Sequence, residues 1–221
     1  MKRINIAIDG PSAAGKSTIS KEIAKTMGYV HLDTGAMYRS TAYKASQLGI
    51  SWEDEEKLAE MLQNTEIQLT TDGKVILDGK DVSFEIRQNE ISRGASDVSK
   101  HEKVRKELVK RQQKMALEKG FVMDGRDIGT VVLVDAELKI YQTASAKKRA
   151  ERRHKENLEK GIESNLEEIE AAIVARDYQD MNREVSPLKK ADDAVELDTS
   201  DLTIQEAVDK VLEMIQKIVS E

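Results

Sequence analysis

The sequence predicts an α/β fold, a parallel β-sheet core flanked by helices. Three observations carry this expectation: short apolar runs alternate with segments of helical periodicity, a Gly-rich loop stands between the first run and the first helix, and polar residues follow the C-terminal ends of later runs. At 221 residues the chain can bury one sizeable core with room for a small inserted subdomain.

Ile4, Ile6 and Ile8 alternate with Asn5 and Ala7, which suits a strand covered on both faces, and the glycine-containing segment that follows ends it. From Lys16 the pattern turns helical. Ile19, Ile23 and Met27 recur at near-helical spacing, Gly28 reads as the stop, and Tyr29 to Leu32 forms a second strand, opening a βαβ unit. Asp33-Thr34-Gly35 starts a helix through about Leu48. A further helix is headed by Glu53 to Glu56, whose charges favour its positive end. Between about Thr65 and Ser83, alternating Ile67 and Leu69, the run Val75 to Leu77, and Asp-Gly turns at 72–73 and 78–79 predict two or three short antiparallel strands. Helices follow over Phe84 to Val98 and Val104 to Lys119. Phe121 to Met123 and Leu138 to Tyr141 are strand candidates. Two long charged helices, about Ala146 to Lys160 and Leu166 to Glu184, precede the break enforced by Pro187. Ala194 to Leu197 is the last strand, and Ile204, Val208, Val211, Ile215 and Ile218 mark the apolar face of a closing helix.

Bulk properties remove several classes of function. The chain has no cysteine, which excludes disulfides and thiolate zinc sites and fits a reducing compartment. Met1 to Ile6 run straight into strand pattern, leaving no room there for a signal peptide, and no stretch approaches a membrane span, so the expected location is cytoplasmic, with no membrane partner. A formal charge of −6 argues against a nucleic-acid partner, so any anionic ligand must meet a local cationic cluster.

Gly10-Pro11-Ser12-Ala13-Ala14-Gly15-Lys16-Ser17 is a P-loop with both flanks it requires, a strand before and a helix after. Its backbone amides can converge on phosphate oxygens, Lys16 can reach the terminal phosphates, and the Ser17 hydroxyl can ligate Mg2+, with Thr18 behind it. Asp124-Gly125-Arg126-Asp127 follows a strand, so Asp124 is expected near the P-loop as a metal-shell carboxylate, directly or through water, with Arg126 and Asp127 turned toward a second substrate. An Asp-Gly pair is also an ordinary turn, and the P-loop is what gives this one weight. Arg149, Arg152 and Arg153 share one helix face; such a run is commonly a solvated surface, yet arginines on a lid would offset the charge of phosphoryl transfer. Ile169, Ile173, Arg176, Asp180 and Arg183 form a helical stripe that changes from apolar to charged. The alternative is that Val174, Tyr178, Met181 and Val185 are buried instead; periodicity does not choose between them.

The order of GxxxxGKS, Asp33-Thr34-Gly35-Ala36-Met37-Tyr38-Arg39, Asp124-Gly125-Arg126-Asp127-Ile128-Gly129-Thr130 and Arg176 to Arg183 closely resembles the bacterial cytidylate kinases, nucleoside monophosphate kinases of the P-loop class, over essentially the whole chain. The resemblance implies one kinase unit: a core of about 1–33, 120–145 and 187–221, a monophosphate-binding domain with an antiparallel insert at about 34–119, and a lid with its following helix at about 146–186. It implies ATP-dependent phosphorylation of CMP and dCMP with Mg2+, by a monomer. Residues 10–18 would hold ATP. Thr34, Tyr38, Arg39, Ser96, Arg105, Arg126, Asp127, Arg176, Asp180 and Arg183 would hold CMP, Ser96, Arg105 and Asp127 reading the base, with Arg111 the alternative to Arg105 on the same helix. Lys16, Arg126, Arg149, Arg153 and Arg183 would be catalytic, and Ser17 and Asp124 would face the metal. The adenine would lie between the lid helix and the turn Asp198 to Asp201. The rival readings are a UMP or shikimate-type kinase and a nucleotide-dependent switch. A guanine-reading Asn-Lys-x-Asp element is missing, which weakens the GTPase form of the switch.

Overall fold

The computed structural model describes residues 2–70, 72–159 and 161–220. Its centre is a five-stranded, all-parallel sheet of β1 (Ile6–Asp9), β2 (Val30–Asp33), β6 (Phe121–Gly125), β7 (Leu138–Thr143) and β8 (Val195–Asp198), in the order β2-β6-β1-β7-β8. A second sheet of β3 (Ile67–Leu69), β4 (Val75–Leu77) and β5 (Lys80–Asp81) is antiparallel, and it lies in the excursion that leaves β2 and returns as β6. Three strands therefore form where two or three were expected. Asp78 and Gly79 both have positive φ, 48° and 80°, which fits the tight two-residue turn between β4 and β5.

Alternation along β1 explains its composition. Ile4, Ile6 and Ile8 pack on one face with Ile19 and Ile23 of α1 (Lys16–Met27) and with Val208, Val211 and Ile215 of α8 (Ile204–Val219). Ala7 faces the other layer with Leu32, Met123, Ile128 and Val132. Each buried isoleucine contributes roughly 2 kcal/mol by area. Ile204 departs from its expected place. It is the first residue of α8 and is exposed, and Ala207 takes its position against the sheet; the helix is opened by a capping box between Thr203 and Glu206.

A separate apolar cluster is built wholly from the excursion, among α2 (Thr34–Gln47), α3 (Glu55–Gln63), α4 (Asn89–Val98), α5 (Glu102–Met115) and the small sheet. Two expected helices are interrupted here. The segment from Phe84 makes one 3-10 turn at Glu85–Arg87, then Gln88 takes an extended conformation (φ −62°, ψ 149°) before α4 begins. Similarly α5 starts at Glu102 and closes as a 3-10 turn at Ala116–Glu118. The charged helices α6 (Ala146–Glu159) and α7 (Leu166–Asn182) pack together. Among the described residues no helix is long and apolar enough to cross a membrane.

Candidate active site

The loop after β1 is shaped by close approach. A Cβ on Gly10 would stand 2.0 Å from the backbone oxygen of Gln142 on β7, so only glycine lets the chain turn there. Gly15, in the left-handed region at φ 88°, hands the loop to α1. The Gln142 amide holds the underside of the loop by donating to Ala14 O at 2.6 Å. Lys16 reaches back over the loop, its Nζ donating to Gly10 O at 2.9 Å and Pro11 O at 2.8 Å. Burial, with the Arg126 charge adding to it, pushes the Lys16 ammonium down to about 7.

Parallel pairing brings three strand ends beside this loop. Asp124 is in register with Ile8 on one side and Asp33 on the other. Its Oδ2 accepts from the Ser17 hydroxyl at 2.7 Å, and its Oδ1 lies 2.6 Å from His31 Nε2. Asp33 caps α2 by accepting from Ala36 N, and its other oxygen accepts from Arg39 at 2.6 Å. Burial would raise the Asp33 carboxyl, but the Arg39 charge and hydrogen bond outweigh it and hold it below the usual range. Thr34 donates its hydroxyl to Asp124 O at 2.8 Å.

Opposite the P-loop, one cavity of about 290 Å³ continues into a basic basin. It is lined by residues 12–18, by Thr34, Tyr38 and Arg39 of α2, by Ser96 and Arg105, by Asp124 to Asp127, and by Arg176, Asp180 and Arg183. Ser17 and Asp124, the expected metal-facing pair, thus stand at the junction of its two halves. Six cations meet four carboxylates in this lining, in a chain of formal charge −6. The stripe of α7 faces inward: Ile173 and Asp180 are buried, while Val174, Tyr178 and Met181 are exposed. Arg126 donates to Asp180 Oδ2 at 2.7 Å, and Arg105 pairs with Asp127 Oδ2 while standing 5.2 Å over the Tyr38 ring. Arg111, the alternative to Arg105, is instead spent on the carbonyls of Thr65 and Leu62.

Charge pairing inside the basin is incomplete. Burial, with the nearby Arg126, pushes Arg176 down to about 10, and burial with Arg105 also lowers Arg183. Tyr38 Oη, Arg39 Nε, Arg105 Nε, Arg176 Nε and Arg183 Nη2 are buried with no hydrogen-bond partner, five of the eight such side-chain atoms among the described residues. Unsatisfied buried donors cost free energy, so their concentration in one cavity marks a place for an acceptor-rich ligand.

The three arginines of α6 stand elsewhere. Arg149 is buried and spends its guanidinium on Ala144 O, Ser12 O and Asp177, whose other carboxylate oxygen accepts from Ser12 N at 3.3 Å. Arg152 donates to the carbonyls of Thr199 and Ser200, in the expected adenine turn, and Arg153 is exposed. None of the three lines the cavity, and neither do Gly10 and Pro11, whose carbonyls anchor Lys16. Sequence reasoning missed His31, Asp33 and Asp177. His31 left a signal, a polar residue inside a short apolar strand; Asp177 left none, because its partner lies on another helix.

A parallel sheet, a P-loop at its C-terminal edge and a cationic basin facing that loop define a P-loop phosphotransferase built for two anionic substrates. The chain belongs to the cytidylate kinase family, whose model matches residues 6–217. A curated cytidylate kinase of Bacillus cereus is 52% identical over 220 residues, covering 98% of both chains, and one of Bacillus thuringiensis has the same identity and coverage. Among solved structures, a gluconokinase of Sinorhizobium meliloti superposes with a TM-score of 0.50 at 16% identity over 98% of this chain and 95% of its own, a likeness of fold alone.

Proposed function

We propose that this chain transfers the γ-phosphoryl group of ATP to the phosphate of CMP and of dCMP. An acceptor phosphate oxygen attacks the γ-phosphorus in line, the bond to the β,γ-bridging oxygen breaks, and ADP leaves with the electron pair. The acceptor is already an anion, so no general base is required; the protein aligns two anions and offsets their repulsion. The observation that carries this reading is the cluster of buried, unpartnered arginine donors facing the P-loop across one cavity.

Residues 10–18 take the donor phosphates, with Lys16 at their end. Arg39 and Arg126 take the acceptor phosphate, Arg176, Asp180 and Arg183 its sugar and phosphate, and Thr34 and Tyr38 the wall between. Ser96, Arg105 and Asp127 read the base. An ionised Asp127 only accepts, which suits the exocyclic amine of cytosine and opposes the carbonyl of uracil. Arg126, whose charge acts on Lys16, lies nearer the donor half, whereas Arg183 stands beside Ser99 and Asp127. Arg149 and Arg153 serve transfer only if the lid repacks, and Arg149 would first have to leave Asp177.

Mg2+ fits the pair of hard oxygen donors formed by Ser17 Oγ and Asp124 Oδ2, and there it would neutralise phosphate charge. The excursion of about 34–119 is the monophosphate-binding domain, about 146–186 the lid with its following helix, and the remainder the core. The proposed acting unit is the monomer.

Steady-state kinetics with ATP against CMP, dCMP, UMP and AMP test the reading. CMP is expected to exceed UMP in kcat/KM by ~5- to ~150-fold, the value of one good polar pair of ~1–3 kcal/mol. Equal turnover of CMP and UMP overturns it. Lys16→Ala is expected to lower kcat by ~100-fold or more while CMP affinity, read by calorimetry, stays within about threefold. Near-normal turnover in that variant would remove Lys16 from the mechanism.

A further inference from the structure

Asp9 is the last residue of β1, immediately before Gly10, and its side chain is buried. Its Oδ1 accepts from Ile128 N and its Oδ2 from Gly129 N, both at 2.7 Å. Both amides open an unusual turn at Ile128–Val132, in which Asp127 O accepts from Val131 N and Val132 N. Each amide meets its own oxygen, an arrangement that a carboxylate supplies and that a carboxamide, with a single oxygen, does not reproduce.

We propose that Asp9 is a positioning residue for acceptor choice: by gripping the amides of Ile128 and Gly129 it fixes Asp127 and Arg126, directly upstream, relative to the P-loop that begins one residue after Asp9. This rests on the assignment of Asp127 to the cytosine amine.

The surroundings of Asp9 show what the grip is for. Lys16 on the following loop, Asp127 on the turn, and Tyr141 and Lys139 on β7 are the titratable groups around it. Lys139 is committed to Asp193 and Val134 O, and Lys16 to Gly10 O and Pro11 O. Among the described residues no cation is hydrogen-bonded to Asp9, whose partners are the two amides. Burial accordingly pushes its carboxyl up to about 6. A buried anion kept for two backbone amides is an expensive way to tie a loop, and the tied loop carries the base-reading residue on one side of the P-loop anchor.

The test is Asp9→Asn, assayed with ATP against CMP and UMP. The expected result is a KM for CMP raised about 10-fold, a CMP-to-UMP ratio of kcat/KM that falls at least threefold, and a KM for ATP within twofold of wild type. An unchanged base ratio, or KM values for CMP and ATP that rise together, overturns the proposal and leaves Asp9 a scaffold residue. Should Asp9→Asn fail to fold, Asp9→Glu decides, because it keeps the carboxylate but moves its two oxygens off the amides of Ile128 and Gly129. The same two outcomes apply to it. The wild-type ratio separates the two levels of inference: a wild type with no preference for CMP sinks the assignment of Asp127, whereas a wild-type preference retained in the variants sinks only the role of Asp9.

Discussion

Asp9 also makes a thermodynamic statement. Its carboxyl titrates at about 6 in the folded chain against 3.8 for the ordinary group, so between those values the folded state holds a proton that the unfolded state has released. An acid with a raised folded value stabilises below the unfolded value, and that contribution is lost as pH rises through the folded one. Lowering the pH from 7 to 5 is therefore expected to favour wild type over Asp9→Asn by about 1 kcal/mol, read as the change in their stability difference by urea denaturation. A difference that does not move with pH would mean that the carboxyl is solvated. Asp180 works in the opposite sense. Burial would raise its carboxyl, yet Arg126 outweighs it and holds it below the usual range, so its contribution is present at neutral pH and is lost as the pH falls below the ordinary carboxylate value.

Helix α7 gives the sharpest test among the elements. Its two candidate faces are one residue apart at Ile173, which is buried, and Val174, which is 52% exposed. Ile173→Ala is expected to cost ~2–4 kcal/mol, whereas Val174→Ala should stay within ~0.5 kcal/mol, by chemical denaturation. Reversed values would rotate the helix and withdraw Arg176 and Asp180 from the cavity. Much of the element order was legible in the sequence because β1, α1 and the Asp-Gly hairpin are specified locally, by alternation, helical spacing and turn chemistry. The P-loop was legible for a related reason, since its spacing survives without knowledge of packing, while Arg39, Arg176 and Arg183 were singled out with the help of the resemblance and line the cavity. What was not legible depends on contacts across the fold. The break at Gln88, the turn at Ile128–Val132 held by Asp9, and the capture of Arg149 by Asp177 each need a partner far away in sequence.

For the molecule as a whole, two apolar clusters bury the faces of the main sheet, and a third, whose buried residues run from Ala36 to Leu108, touches one of them through Leu69 and Met115. Substrates acting on separate bodies should protect separate amides. Hydrogen exchange with CMP alone is expected to slow α2, α4 and α5 more than β1 and β7, while an ATP analogue slows the P-loop and the start of α1. Uniform slowing by either ligand would mean that the chain opens as one unit.

The excursion between β2 and β6 carries a consequence for how such chains diversify. Neighbouring parallel strands must be joined by a crossover of about a dozen residues in any case. Lengthening that connection to span residues 34–120 adds only about 2 kcal/mol of closure entropy, because the term grows with the logarithm of loop length. The excursion repays this with its own packed interior. The excursion is thus a cassette that selection can exchange or rebuild while the parallel sheet keeps its register, and it meets the proposed base-reading Asp127, which lies outside it, through Arg105.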